Sequence, residues 1–331
     1  MPYKARLKSG APRKRPKPTY RVANARAYNQ SLKRRGQLGL YCPDGDLKAL
    51  FINTQPYVPG VSGRAPTYTN AYIELIYTFY RLFRGAMRQI TGFMDEYWRL
   101  RGLEIAVPSF GQLSERFATL PVPVQQRCQR VADRLANGEA LSLIVDSTGM
   151  NFGRASEGHR QTYGRDASRT PWRKVHLSID SDMNIHAIAV TEDHVSDEAA
   201  LDAVLAVDAH VDCVIADGAY YSIAQTEAWS SSGVLPAIPP PANAVIHAQP
   251  TTRWHDQIVG YIKEKGIHAF HNKYGYGKRA LVEAQISRIK RCIGSRLLTR
   301  RFESQQREGV IIANLVNLWN SFGKAVCVKT A

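Results

Sequence analysis

Apolar residues recur at intervals of three and four from Asn70 onwards, which is the period of an amphipathic helix. The recurring positions are Tyr72, Ile76, Phe79, Phe83, Met87, Ile90 and Met94. Gly85 divides them into one helix that ends near Arg84 and a second that ends near Arg101. A third helix is predicted from residue 110, because Ser109 and Gln112 have the spacing of a capping box.

Three short helices in succession are typical of a helix-turn-helix, in which residues 110–118 enter a groove of DNA. They are equally typical of a small helical domain without a DNA partner. The linker "LPVPVQ" (120–125) follows, and then a polar helix that ends near residue 138.

Beyond residue 140 the pattern becomes that of strands. The apolar run "LSLIVDST" (141–148) has the length of a buried strand that ends in Asp146. Residues 173–179 and 185–190 alternate between apolar and polar positions on either side of "SDMN", which predicts a hairpin. Ser196 and the acids after it predict a helix start. A fourth strand, in "VDCVIADGAY" (211–220), ends in Asp217, and a helix near 223–230, a short strand near 235 and further helices follow.

This order of elements is that of an α/β fold, a ribonuclease-H-like mixed sheet flanked by helices. It predicts three regions. Residues 1–20 form a basic disordered arm, residues 21–138 a helical, helix-turn-helix-like DNA-binding domain, and residues 139–331 the ribonuclease-H-like domain.

The net charge of the chain indicates which class of partner it binds. The 331 residues include 44 Lys and Arg against 28 Asp and Glu, which gives a net charge of +16. Residues 1–43 hold twelve of these cations and no carboxylate, and residues 272–301 hold nine cations and a single acid, Glu283. Such a field attracts polyanions, and double-stranded DNA is the usual one.

A membrane surface is the rival partner, but no apolar run approaches the about 18–20 residues that cross a bilayer. The five cysteines are scattered and form no CxxC pair. This usage favours a reducing cytoplasm and argues against a zinc site.

Three acids are candidates for chemistry. Asp146 and Asp217 follow strands that are neighbours in such a sheet, so that both carboxylates are expected at one edge. On a helix, with about 100° per residue, Arg279, Glu283 and Lys290 fall within an arc of roughly 40°, and Tyr276 lies close to it. A strand-end turn at each Asp and a solvated Arg279–Glu283 pair are the purely structural interpretations of the same residues.

Tyr276, Arg279, Glu283 and Lys290 form the pattern Y-x2-R-x3-E-x6-K, which resembles the signature of DDE transposases of bacterial insertion sequences. "IVDSTG" (144–149) and "DGAY" (217–220) resemble the blocks around the first and second catalytic Asp of that family, and "WRKVHLSID" (172–180) resembles the hairpin between them. "GRAPTYTNAYIELI" and "VPSFGQLSER" resemble the N-terminal part of members of insertion sequence family five. The resemblance extends from about residue 20 to residue 325.

The resemblance implies a catalytic triad of Asp146, Asp217 and Glu283 that holds two Mg²⁺ or Mn²⁺ ions in each active site. Hard carboxylate oxygens suit these ions, and a pair of ions supports in-line displacement at a phosphodiester. Tyr276, Arg279 and Lys290 are implied as DNA contacts. Arg288 and Arg291 are expected to extend that track, and Lys174 is expected to face the site from the hairpin.

The expected function is therefore a cytoplasmic, nucleoid-associated bacterial transposase. It binds the terminal inverted repeats of its element, cleaves DNA and transfers strands, and pairs two ends as a homodimer on DNA. Two alternatives stay open: a ribonuclease-H-like nuclease that cuts without strand transfer, and a catalytically silent DNA-binding descendant.

Overall fold

The computed structural model describes residues 19–54, 67–153 and 171–330. Two compact units divide these residues. Residues 19–40 and 322–330 form one unit, and the described part of Tyr41–Ser321 forms the other. The functional boundary predicted at residues 138 and 139 remains a prediction. Over the three described ranges, no helix combines the length and the apolar character needed to cross a membrane.

The smaller unit joins the two ends of the chain. Strand β1 (Thr19–Val22) pairs antiparallel with β8 (Cys327–Thr330), and helix α1 (Ala25–Arg34) follows β1. Asn24 fastens the two segments, because its side chain donates to Lys324 O and accepts from Val326 N. Of the basic arm predicted over residues 1–20, residues 1–18 lie outside the described residues, while Thr19 and Tyr20 belong to β1.

A mixed sheet is the centre of the larger unit. Its strands are β2 (Leu141–Phe152), β3 (Trp172–Ile179), β4 (Ile185–Thr191), β5 (Val211–Ile215), β6 (Leu235–Ala237) and β7 (Arg296–Leu297). The order is β4-β3-β2-β5-β6, with β2–β3–β4 antiparallel and β5 and β6 parallel to β2. This mixed α/β architecture is consistent with the predicted ribonuclease-H-like fold.

Helices account for most of the remaining elements. They are α2 (Leu47–Phe51), α3 (Asn70–Phe83), α4 (Met87–Leu100), α5 (Phe110–Thr119), α6 (Gln129–Ala136), α7 (Leu201–Leu205), α8 (Ile223–Ser231), α9 (Arg253–Lys265), α10 (Ile267–Lys273), α11 (Ala280–Cys292) and α12 (Phe302–Phe322). Short 3₁₀ helices span Leu38–Tyr41, Gly218–Tyr220 and Tyr276–Arg279.

The three N-terminal helices predicted from the apolar period are α3, α4 and α5. Between α3 and α4, the Trp98 indole donates to the Tyr72 hydroxyl at 2.8 Å, and Phe117 of α5 stacks on Tyr77 of α3. The capping box at the start of α5 is confirmed, because Ser109 N donates to Gln112 Oε1 and Gln112 N donates to Ser109 Oγ.

The two faces of the sheet carry different helices. Val145, Ala187 and Val214 pack with Leu201 and Val204 of α7 on one face. The opposite face of β4 lies against α12, where Gly309 leaves no room for a side chain because a Cβ atom there would lie 2.9 Å from Val190. Since side chains alternate along a strand, Asp146 lies on the α12 face of β2.

Two sequence expectations need correction. β2 does not end near Asp146 but continues to Phe152, because β3 pairs with it along its whole second half. The helix predicted to start at Ser196 begins only at Leu201; Ser196 Oγ instead accepts from Ala199 N in a preceding turn. The hairpin, strand β5 and helix α8 lie where the pattern predicts them.

A buried ion pair connects α3, α12 and the segment around β7. Arg81 donates to Glu308 at 2.8 Å and to the carbonyl of Arg296, and both side chains of the pair are at most 2% exposed. Glu308 also accepts from the backbone of Leu298 and Thr299. Removing one partner leaves an uncompensated charge in the interior.

We expect Glu308→Gln to lower the free energy of unfolding by about 3–5 kcal/mol, because the Arg81 charge loses its buried counter-ion. Chemical denaturation of the variant and the wild type measures this difference. Glu96→Gln is the control: it breaks a solvent-exposed pair with Arg99 and is expected to lower stability far less. Equal costs for the two variants would contradict the assigned role of the buried pair.

The β3–β4 hairpin is closed by the buried carboxylate of Asp180. It accepts from the backbone N–H groups of Asp182 and Asn184, at 2.7 and 3.0 Å, and lies 3.0 Å from His186 Nε2. Burial alone raises the pKa of Asp180, but the hydrogen bonds from His186 and Asn184 outweigh burial and bring the pKa below its ordinary value.

A depressed folded-state pKa contributes stability above the ordinary carboxyl value of about 3.9, and this contribution is lost as the pH falls through the folded value. We therefore expect Asp180→Asn to be less stable than the wild type at pH 7 by about 1–3 kcal/mol. The gap should narrow below about pH 4 in unfolding curves measured across pH. The exposed Asp202→Asn serves as control, and a gap that stays constant with pH would refute the assignment.

Candidate active site

Asp146 lies where β2 has a free edge. β5 pairs with β2 as far as Ile144, and β7 pairs with it again from Asn151, so the described pairings leave residues 145–150 without a strand on that side. Asp146 Oδ1 accepts from the backbone N–H of Ser147 at 2.9 Å. The remaining oxygen, Oδ2, faces a cation that is described below.

Asp217 follows β5 after one further residue. Its Oδ1 accepts from Ala219 N at 2.8 Å and caps the 3₁₀ helix Gly218–Tyr220, which leaves Oδ2 for other contacts. Gly218 permits a close approach of the next segment, because a Cβ atom there would lie 3.2 Å from the carbonyl oxygen of Pro239. The capping role expected of an Asp in a turn is thus present, and it uses one carboxylate oxygen only.

Glu283 lies in the first turn of α11. The 3₁₀ helix Tyr276–Arg279 leads directly into α11 and contacts both β2 and β5. Gly275 begins this connection with φ +64°, a left-handed conformation that glycine adopts without steric cost. The two consecutive helices bring Arg279 and Glu283 to the free edge of β2.

The guanidinium of Arg279 contacts all three acids. Its Nη2 lies 3.1 Å from Asp217 Oδ2 and 3.5 Å from Asp146 Oδ2, while Nη1 donates to Glu283 Oε1. The structure thus brings together the three acids that the sequence predicts as a group, although Asp146 lies within β2, Asp217 follows β5 and Glu283 belongs to a distant helix. Asp146 and Arg279 are mostly buried, and Glu283 is more than half exposed.

Like charge and burial both shape the electrostatics of this cluster. Burial raises the pKa of Asp146 above its ordinary value; the Ser147 N–H and Arg279 oppose this shift, and Asp217 and Glu283 add to it. For Arg279, burial disfavours the charged form, but Asp146, Tyr276, Glu283 and Asp217 outweigh it and raise the guanidinium pKa. Arg279 therefore stays protonated and acts as the counter-ion of the cluster.

The donor set suits a hard divalent ion, because it consists of carboxylate oxygens that already surround one cationic group. Among the described residues, no three His, Cys, Asp or Glu side chains are arranged closely enough to hold a metal ion in the present geometry. Carboxylates are the kind of ligand that Mg²⁺ and Mn²⁺ take, and in this geometry the Arg279 guanidinium contacts all three of them.

Two other members of the predicted signature flank the acids. The Tyr276 ring stacks on His271 at 4.6 Å between centroids, and burial is the largest cause of its raised pKa. The charges of Asp217, Asp146 and Glu283 also act on its hydroxyl. Lys290 lies two turns after Glu283 on α11, about 10 Å further along the helix axis. Arg291 is exposed in the same last turn.

Arg288 and Lys174 make contacts away from the three acids. The Arg288 guanidinium donates to Asn320 on α12. Lys174 pairs in register with Gly149, three positions after Asp146, and therefore lies on the opposite face of the sheet. Its ammonium group donates to Val195 O at 2.6 Å and lies 3.6 Å from Asp197.

Asp197 is a polar residue near the site that the sequence pattern does not single out. Its Oδ1 accepts from Ser147 Oγ at 3.0 Å and lies 3.7 Å from Nδ1 of the buried His176. In the sequence it is only one of several acids expected in the first turn of a helix. Its position depends on the pairing of β2 with β3, which brings Ser147 opposite His176.

Two family models match this chain. A family model described as a transposase DDE domain matches residues 138–318, which is more than half of the chain. A second model of the same description matches residues 33–154. These matches favour neither the nuclease nor the silent DNA binder. Transposases act on DNA, and the family uses divalent metal ions. Because the first model covers more than half of its length, the chain belongs to the DDE transposases.

Proposed function

We propose that this protein is the transposase of a bacterial insertion sequence of family five, which binds the terminal inverted repeats of its element and catalyses metal-dependent cleavage and strand transfer. The observation that carries the proposal is the convergence of Asp146, Asp217 and Glu283 on one cationic group at the free edge of β2. A protein that only binds DNA gains nothing from three carboxylates beside phosphate, because like charges repel.

The three acids hold the divalent ions. When bound, two Mg²⁺ or Mn²⁺ ions supply Lewis-acid stabilisation of the attacking and leaving oxygens of a phosphodiester. Ser147 N–H orients Asp146, and Ala219 N–H orients Asp217, so that each carboxylate presents Oδ2 to the site. Water attacks the phosphorus at the boundary of the element, so that the P–O3′ bond breaks, the element ends in a 3′-hydroxyl and the flanking DNA keeps the 5′-phosphate. That hydroxyl then attacks a phosphodiester of the target DNA in the same site, is joined to the target's 5′-phosphate and releases the target's 3′-hydroxyl.

Basic residues and one tyrosine around the acids hold the DNA. Tyr276, Arg279 and Lys290, which match the Y-x2-R-x3-E-x6-K pattern, contact phosphates near the cleaved bond. Arg291 extends this track along the exposed side of α11. Arg288 and Lys174 are weaker candidates, because their side chains bind Asn320 and the Val195–Asp197 segment.

Recognition of the element ends is assigned to the N-terminal region. Residues 1–20 serve as a basic arm, residues 21–138 as the helix-turn-helix-like DNA-binding part with α5 as its groove-reading helix, and residues 139–331 as the catalytic part. The charge supports this assignment, because residues 1–43 carry twelve cations and no acid. Two ends must be paired for transposition, so a homodimer on DNA is proposed, acting in the cytoplasm at the nucleoid.

We expect Asp146→Asn, Asp217→Asn and Glu283→Gln each to reduce cleavage at least about 100-fold while end binding is retained, because the loss of one ligand removes several kcal/mol of transition-state stabilisation. The assay uses a plasmid that carries the inverted repeats flanking the gene, with Mg²⁺ present. Glu264→Gln, an exposed acid on α9, is the matched control.

A triad variant that cleaves at the wild-type rate would remove that residue from the site. Cleavage without joining by the wild type would overturn strand transfer and leave the nuclease. An absence of cleavage by the wild type would leave the silent DNA binder.

We expect the double variant Lys290→Ala, Arg291→Ala to weaken binding to end and unrelated duplexes alike, because phosphate contacts carry no sequence information. The slope of log K against log salt should shrink by about 0.9 for each phosphate that the variant no longer neutralises. Titrations at several salt concentrations measure it. The control is Lys263→Ala, Lys265→Ala on α9, which removes the same charge elsewhere. An unchanged slope in the α11 variant would argue against the track.

A further inference from the structure

Arg279 makes more contacts within the protein than the binding of a DNA phosphate requires. Its guanidinium lies against Asp146, Asp217 and Glu283 at once and is only 19% exposed. Its Nε is buried, and among the described residues this atom has no hydrogen-bond partner. The guanidinium thus contacts the same three carboxylates that a divalent ion would use, and its buried Nε donor is left unsatisfied there.

Charge repulsion prevents Arg279 and a divalent ion from occupying the acids at the same time. A guanidinium and a divalent ion that share the same carboxylate oxygens lie within a few ångströms of each other, where like charges repel. The acids also need to approach one another for ligation at about 2.0–2.6 Å, which the intervening guanidinium prevents. Arg279 and the metal ion therefore compete for the same three carboxylates.

DNA supplies an alternative partner for Arg279. A phosphate group accepts two parallel N–H bonds from a guanidinium, and this is among the stronger charge-assisted contacts available to arginine. Arg279 lies at the junction of the 3₁₀ helix and α11, one turn after Gly275 and two residues after the exposed Gly277. Its long side chain can leave the acids without a rearrangement of the sheet.

We propose that Arg279 is the built-in occupant of the cation site in the DNA-free protein, and that a DNA phosphate withdraws it and so opens the site to divalent ions. This inference rests on the proposed function of the three acids. By linkage, DNA then raises the affinity for metal and metal raises the affinity for DNA by the same factor. The DNA-free protein binds divalent ions weakly, and the ions bind at the three acids when a DNA phosphate is present.

Mn²⁺ binding tests the proposal without reference to activity. Free Mn²⁺ is measured by electron paramagnetic resonance, with and without a duplex that ends in a 3′-deoxy nucleotide and cannot be joined, and blanks with the duplex alone correct for its own Mn²⁺. Without DNA, Arg279→Ala should bind Mn²⁺ about 5–150-fold more tightly than the wild type, the usual range of such couplings. With DNA, the affinity should rise by a larger factor in the wild type than in Arg279→Ala, because only the wild type has a guanidinium for the phosphate to withdraw.

Lys278→Ala is the matched control, since it removes a positive charge from the adjacent, exposed position of the same 3₁₀ helix. It should leave Mn²⁺ affinity near the wild-type value. Asp146→Asn distinguishes a failure of the proposed metal site from a failure of the proposed competition between Arg279 and the metal ion. If Asp146→Asn loses Mn²⁺ binding while Arg279→Ala binds Mn²⁺ as the wild type does, Arg279 does not compete with the metal ion, but the three acids still form the metal site. If Asp146→Asn binds as tightly as the wild type, the metal site itself is wrong and the competition with it.

Discussion

Three carboxylates that lie side by side repel one another unless a cation is held among them. In this protein the cation is Arg279, and its contacts with Asp146, Asp217 and Glu283 bind two strands and a helix into one site. The same requirement explains why so basic a segment as residues 272–301 retains a single acid: Glu283 completes a negative cluster that the surrounding cations make tolerable.

The fold produces this cluster through an interruption in the sheet. β2 pairs with β3 along most of its length but loses β5 after Ile144 and gains β7 only at Asn151. The 3₁₀ helix before α11 contacts β2 and β5, which brings Arg279 and Glu283 beside the free edge. The buried Arg81–Glu308 ion pair joins α3 to α12. Arg81 also donates to backbone carbonyl groups just after α11, and these hydrogen bonds hold the end of that helix in place.

Much of this site is accessible to sequence reasoning because local rules dominate there. The strands before Asp146 and Asp217 follow from period and order, although β2 runs on past Asp146 and Arg279 lies in a 3₁₀ helix before α11. The resemblance to DDE transposases adds Glu283 to the two Asp residues. The direction in which a long side chain turns is not local. The resemblance implies that Arg279 contacts DNA, whereas its position among the acids depends on three elements that meet only in the folded chain. Asp197 is not predicted from the sequence for the same reason, because its partners Ser147 and Lys174 belong to strands that pair only in the folded chain.

Anomalous scattering from Mn²⁺ in crystals of the protein bound to a cleaved end duplex tests the central claim most directly. The account predicts Mn²⁺ peaks within ligation distance of Asp146, Asp217 and Glu283, with the Arg279 guanidinium withdrawn from the acids onto a phosphate. Mn²⁺ bound away from these carboxylates would contradict the account, as would Arg279 still bridging all three acids beside a fully occupied metal site.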